Sequence, residues 1–409
     1  MGRNSLAGLP RTGRRARLAS IVMVLVLGVV WSHAWGREAG DKPTVEAWYN
    51  TDVVVLTEYD GGHQYYPAEV WSRAARPELL GWSSAALARA REQADALGTS
   101  AVVLVDNGVI VDGWGDLAKP YQSRSMRKSF LSMLFGQPVA DGRIALSDTL
   151  EQLGIDDDTP LTPEERQATV FDLLTARSGV YHPANFESRS MRRKRPERGS
   201  HPPGRFWYYN NWDFNALGTI YEQATGQGLF DAFDRQIAGP LHMQHYSVRD
   251  TRYFRRKHSV HPAYRFRMSP LDLARIGLLY LRDGVWRGRR VLPPGWVAQS
   301  TRAYVDTGRT GFHAGYGFMW WVGEDGFAAV GARGQRLFVM PARGLVIVHV
   351  VDADEDDRRV STRQIRALLN TILDAKTTAR RDTGGGLAAA PLPDRPALRW
   401  PPSPSTTSP

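Results

Sequence analysis

The chain opens on an unbroken apolar run. Leu, Ile, Val and Met dominate residues 18–31, and no Asp, Glu, Lys or Arg occurs from Leu18 to Gly36. Arg3, Arg11, Arg14, Arg15 and Arg17 precede the run, and Ser32-His33-Ala34 follow it. A basic start, an apolar middle and small residues behind it make a signal peptide. The same run is near the roughly 17–25 residues a membrane-spanning anchor needs. Either way the basic end stays in the cytoplasm and the remainder passes outside. The chain is therefore expected to be extracytoplasmic: periplasmic or secreted, or anchored to the inner membrane by residues 1–36. Residues 37–80 are rich in Tyr and Trp without a clean period, and read as an extended lead-in packed on the main domain.

Periodicity becomes legible from residue 84. Leu87, Ala90, Ala94 and Leu97 recur at helical spacing over 84–97. Two apolar strands, 101–105 and 109–114, flank Asp106-Asn107-Gly108, a hairpin turn signal. Met126, Phe130, Met133 and Leu134 mark a helix over 125–140, which Asp141-Gly142 ends. Helical patterns with long loops continue to about 299, clearest over 169–176, 215–224 and 270–282. Ser269-Pro270 with Asp272 starts the last of these. Short apolar strands return at 317–322, 327–330, 336–340 and 345–351. Ile365, Leu368, Leu369 and Ile372 give the closing helix, 361–375, an inner face. Beyond Thr377 the chain runs through GGG, AAA and PPSPSTTSP, a composition that cannot bury a core and is expected to be disordered over 377–409. The order strands, helices, strands, helix predicts an α+β fold. Both strand groups join one mainly antiparallel sheet flanked by helices, and the middle forms a helical lobe. The cleft between the lobes is the expected site.

Composition narrows the function. The 409 residues are 42% hydrophobic and 23% charged, a globular profile. Net charge is +10, but it concentrates in the N-terminal arginines and in 188–198, SRSMRRKRPER. No zinc-finger spacing or RNA-binding signature accompanies it, so no nucleic-acid partner is expected. The basic run reads as a solvated loop; the sharper reading is attraction to an acidic substrate or to anionic lipid. Absence of cysteine excludes disulfides and thiol catalysis. The ten histidines form no H-x-x-x-H or H-E-x-x-H pair, and Asp156-Asp157-Asp158 lacks the EF-hand pattern, so no metal is expected.

The candidate chemistry starts at Ser125-Met126-Arg127-Lys128. Residues three apart share a helix face, so serine and lysine can meet. A serine hydroxyl is a weak nucleophile until a base takes its proton. Lysine serves as that base only when neutral, and burial lowers its pKa towards that state. Tyr209-Asn210-Asn211 and Ala329-Val330-Gly331-Ala332 follow in sequence order.

This constellation resembles the serine β-lactamase-related family, which includes class C β-lactamases, carboxylesterases of the same fold and 6-aminohexanoate-oligomer hydrolases. The resemblance spans about 81–375. It includes Leu173-Leu174-Thr175-Ala176-Arg177-Ser178-Gly179, Pro203-Gly204, Asp272-Leu273-Ala274-Arg275-Ile276-Gly277 and Gly315-Tyr316-Gly317-Phe318-Met319-Trp320-Trp321. It implies a β-lactamase/penicillin-binding-protein-like fold over 81–376. It implies Ser125 as acylated nucleophile, Lys128 as base or proton shuttle, and Tyr209 as a sharer of acid/base work. A cation beside a phenol lowers its pKa, so Tyr209 is expected to exchange protons with Lys128 at neutral pH. Asn211 would bind substrate or hold Lys128, or else cap the helix that follows it. Gly331 and Ala332 belong to the substrate site, with the N–H groups of Ser125 and Ala332 as the oxyanion hole. No cofactor is implied.

The third motif departs from the family. Antibiotic-hydrolysing members carry K-T-G there; this chain has Ala329 and Val330 at the lysine and threonine positions, although Ala332-Arg333-Gly334 also threads onto the motif. The expected activity is therefore an exported serine hydrolase acting on a small-molecule ester or amide. A penicillin-binding, D-Ala-D-Ala peptidase-like or β-lactamase activity is one alternative. A non-catalytic extracytoplasmic binding protein of the same fold is the other.

Overall fold

The computed structural model describes residues 53–377, apart from 62, 257, 258, 353 and 355–357. Ten strands form its main sheet: β1 (Val53–Leu56), β2 (Trp71–Ala74), β3 (Ala101–Asp106), β4 (Val109–Gly115), β5 (Val305–Asp306), β6 (Gly315–Tyr316), β7 (Trp321–Gly323), β8 (Gly326–Val330), β9 (Arg336–Met340) and β10 (Leu345–Val350). They lie in the order β1-β2-β4-β3-β10-β9-β8-β7-β6-β5. Pairing of β3 with β10 joins the early and late strand groups, antiparallel, from Ala101↔Val350 to Asp106↔Leu345. Only β1–β2 and β2–β4 pair parallel, which adds two strands from the lead-in to one edge.

Alternation along β3 and β10 splits the core in two. Val102, Leu104, Leu345 and Ile347 face α1 (Ser84–Ala96) and the C-terminal helix, Thr362–Leu373. Ala101, Val103, Val105, Val346 and Val348 face the helical layer. That layer holds α2 (Arg127–Ala140), α4 (Asn211–Thr225) and α5 (Pro270–Leu281); the short helix α3 (Arg189–Lys194) buries no residue, and the C-terminal helix is α6. Side chains of a strand point alternately to opposite faces, so one apolar strand serves both layers. Helix α5 lies close on the sheet at Gly277, where a Cβ would stand 2.3 Å from Val346 Cγ1.

Local signals set the helix ends. Ser83, Ser269 and Ser361 accept from the backbone N–H groups of Ala86, Asp272 and Gln364. Two expectations change. The α-helix expected over 125–140 begins at Arg127; Ser125 sits in a 3₁₀ turn, Arg124–Met126, entered through Arg124 at φ 50°. Of the strand expected over 317–322, residues 317–320 form a turn between β6 and β7 and strand begins only at Trp321, because Met319 adopts φ 60° and Tyr316 pairs with Trp321.

The apolar run at 18–31 and the tail beyond Thr377 lie outside the described residues. Among the described residues, no helix is long and apolar enough to cross a membrane. The basic segment 188–198 is partly absorbed into structure. Arg195 pairs with Glu187 and Arg198 with Glu165. Arg189, Arg193 and Lys194 remain exposed on α3.

Candidate active site

The turn Arg124–Met126 delivers Ser125 to the start of α2, and the first turn of that helix brings Lys128 beneath it. Lys128 Nζ donates to Ser125 Oγ at 2.9 Å and to Tyr209 Oη at 2.8 Å. Lys128 is 1% exposed, with its nitrogen 4.4 Å from the Tyr209 ring centroid and 4.8 Å from that of Phe214. Burial, and then the charge of Arg127, hold the amine well below the usual lysine range. Tyr209 stacks on Trp321 at 5.5 Å and meets Phe214 at 5.1 Å. Burial pushes its phenol up to about 12, outweighing Ser125 and the cations Arg127 and Arg309. The expected lowering of Tyr209 is thus reversed. The same burial that disfavours the ammonium of Lys128 disfavours the phenolate of Tyr209, and that desolvation dominates.

Asn210 is what positions Tyr209. Its carboxamide donates to Val180 O at 2.7 Å and to Asp213 Oδ1 at 2.8 Å, and accepts from Trp212 N as the cap of α4. Ser178 donates to the same Asp213 oxygen at 2.5 Å, so the S-G turn and the Y-N-N segment are locked together. Asn211 is therefore not the cap. It is buried, and its Nδ2 donates to Phe186 O at 2.8 Å. Phe186 sits at φ 63°, costly for an aromatic residue, and this bond holds it there. No bond from Asn211 to Lys128 is present.

The third motif reaches the site through Gly331. A Cβ there would stand 2.6 Å from Ser123 O and 3.1 Å from Arg124 Cβ, so only glycine lets β8 run on against the nucleophile turn. Ala332 follows and shares a cleft of about 900 Å³ with Ser125 and Asn211. Ala329 is buried in the strand, and neither it nor Val330 nor Arg333 lines that cleft. The alternative threading therefore puts no side chain of its own on the cleft wall beyond Ala332. Lys128 is buried beneath Ser125, and Tyr209 is half-buried beside it.

The sequence reading passed over Arg127, Arg265, Phe186 and Phe254, which also line the cleft. Only Arg127 had a sequence signal: a second charged residue inside S-x-x-K, at the start of a largely buried helix. Among the described residues, no three His, Asp or Glu side chains converge as a metal cage. Asp156 and Asp157 are occupied as acceptors for Leu161 N and Trp212 Nε1.

Solved structures of known proteins share this architecture. One assigned as a 6-aminohexanoate-dimer hydrolase from Bacillus anthracis is 18% identical over 78% of this chain and 88% of its own, with a TM-score of 0.56. An octameric penicillin-binding protein homologue from Pyrococcus abyssi is 17% identical over 72% and 77%, with a TM-score of 0.51. A β-lactamase from Mycobacterium bovis is 18% identical over 70% and 99%, with a TM-score of 0.50. Such identities speak for the fold alone. No curated protein matches the chain. Residues 84–370 match the Beta-lactamase family, a span that contains the Ser125 turn, the Tyr209 segment and β8. On that match, and on a fold shared with its solved relatives, the chain belongs to the beta-lactamase family of serine hydrolases.

Proposed function

We propose that this chain is an exported hydrolase that opens an ester or amide bond through an acyl-Ser125 intermediate. The observation that carries the reading is the continuous chain Ser125–Lys128–Tyr209, at 2.9 and 2.8 Å, with the lysine held below its ordinary range by burial. Neutral Lys128 takes the Ser125 proton as Oγ attacks the carbonyl carbon. The N–H groups of Ser125 and Ala332 receive the negative oxygen of the tetrahedral intermediate. Collapse expels the leaving alkoxide or amine, which takes a proton from the Tyr209 hydroxyl. The protonated Lys128 restores the phenol. Water then attacks the acyl-serine by the same route in reverse, and Oγ leaves as a hydroxyl. Asn211 orders the cleft wall through Phe186.

The leader or anchor at 1–36 supports action outside the cytoplasm, as part of the same proposal. β-Lactams are disfavoured as substrates, because the positions of the family's third-motif lysine and threonine are Ala329 and Val330, away from the cleft. Replacing Ser125 by Ala is expected to abolish labelling by a fluorophosphonate probe. Continued labelling of that variant would sink the reading. Nitrocefin turnover comparable to that of p-nitrophenyl esters would shift it to the β-lactamase alternative.

A further inference from the structure

Arg127 stands two residues beyond Ser125 and is 2% exposed. No carboxylate pairs with it among the described residues. Its Nη2 donates to the neutral Asn215 Oδ1 at 3.1 Å. Aromatic rings flank it, with Cζ 4.2 Å from the Tyr264 ring centroid and 5.7 Å from that of Phe186. Nη1 is buried without a hydrogen-bond partner. A buried cation without an anion is unfavourable, and a cation of this kind on the wall of a substrate cleft is ready for an anionic group.

The rest of the wall points the same way. Five arginines line the cleft against one glutamate, Glu187, and Glu187 is already paired with Arg195. Arg192 reaches the cleft from α3, and Arg265 from the strand Ser259–Arg265, where its guanidinium lies 4.9 Å over Phe254. Burial, with neighbouring cations, holds Arg124 and Arg265 below the usual arginine range. Phe186 and Phe254, 4.8 Å apart, supply an apolar flank between these charges. The arginines that line this cleft thus come from the nucleophile turn, the start of α2, α3 with its C-terminal end, and the 259–265 strand, and none from β8.

We propose that the cleft takes an ester or amide that carries a carboxylate, with Arg127 as the buried anchor for that carboxylate and Arg192 and Arg265 as attracting charges at the rim. A single buried guanidinium suits a monoanion. A short apolar spacer lies along Phe186 and Phe254. The proposal names the substrate class for the acyl-serine reading above and rests on it.

The test uses the whole chain carrying Ser125→Ala, so that an ester probe survives and turnover plays no part. Calorimetric titration with monomethyl glutarate is expected to show saturable binding. The uncharged dimethyl glutarate is expected to bind roughly 10- to 100-fold more weakly, the worth of a charge-assisted hydrogen bond. Adding Arg127→Met is expected to erase the difference. Arg265→Gln, at the partly exposed rim, serves if the core variant does not fold, and is expected to weaken the monoester several-fold more than the diester. Equal affinity for the two esters, or a preference untouched by both arginine substitutions, overturns the proposal. Fluorophosphonate labelling of the unmodified chain at Ser125 reports separately on the hydrolase reading. Labelling without preference for the charged ester removes this proposal alone; preference without labelling removes only the hydrolase.

Discussion

At the level of single residues, Lys128 matters for the charge that burial disfavours. Its folded-state pKa lies below the ordinary 10.5 because burial disfavours the ammonium. Between the lowered value and 10.5 the unfolded chain binds one more proton than the folded one. Stability therefore rises with pH across that window, and is lost again as pH falls through it. Lys128→Met is expected to abolish turnover and to remove this slope, as followed by denaturant midpoints against pH in both proteins. The same shift sets the rate profile. The acidic limb of kcat/KM is expected below 10.5, and Tyr209, pushed up to about 12, is expected to add no alkaline fall until near that pH. An alkaline fall centred at 10 would show an unperturbed phenol. Tyr209→Phe is expected to lower kcat by about 100- to 10,000-fold, the usual worth of a positioned acid or base. A loss confined to KM would assign Tyr209 to binding instead. Ser125, Lys128 and Tyr209 were legible as a set because motif spacing places them at the heads of neighbouring helices. The direction of the Tyr209 shift was not, since it depends on Phe214, Tyr316 and Trp321, contributed by other segments.

Among elements, β8 and the nucleophile turn hold the tightest contact in the site. Gly331→Ala places a Cβ 2.6 Å from Ser123 O, so backbone must move. A displacement near 1 Å costs about 100-fold in rate. The variant is therefore expected to keep its fold, read by thermal melting, while kcat/KM falls by about that factor. Unchanged turnover would mean that β8 does not position the turn. Helix α5 gives the stability counterpart. Gly277→Ala drives a methyl into Val346 and is expected to cost about 1–3 kcal/mol in denaturant unfolding, with little change in the site. The elements themselves were largely legible, because caps such as Ser269 and Ser361 and the period of α6 are local. The turn at 317–320 was not. Its residues form an unbroken apolar run like that of a buried strand, and the Met319 reversal is held from outside, by Ser129 Oγ donating to Met319 O at 2.8 Å and by Met319 N donating to Leu174 O at 3.1 Å.

Across the whole molecule, a buried arginine ties the lead-in to the helical layer. Arg275, 0% exposed, donates to Ala68 O at 3.0 Å, Glu69 O at 2.8 Å and Leu241 O at 2.8 Å. This is why the D-L-A-R-x-G segment carries an arginine on a buried helix. Removing it strands three carbonyls, at roughly 1.5–3 kcal/mol for each charged hydrogen bond. Arg275→Met is expected to raise amide exchange first in β2 and the residues before it, as resolved by hydrogen-exchange mass spectrometry. Uniform loss of protection over the chain would mean that the tie is global and not local. By itself the sequence determined the α+β class, the antiparallel hairpin at Asn107-Gly108, most helix positions and the Ser125–Lys128–Tyr209 set. These follow from spacings of two, three or four residues and from motif order. Only the tertiary structure decided the parallel edge strands, the place of Asn211 as an anchor for Phe186, the raised Tyr209 phenol and the arginine-lined cleft. Each of those sums desolvation and close contact over segments far apart in the chain, which no local spacing encodes.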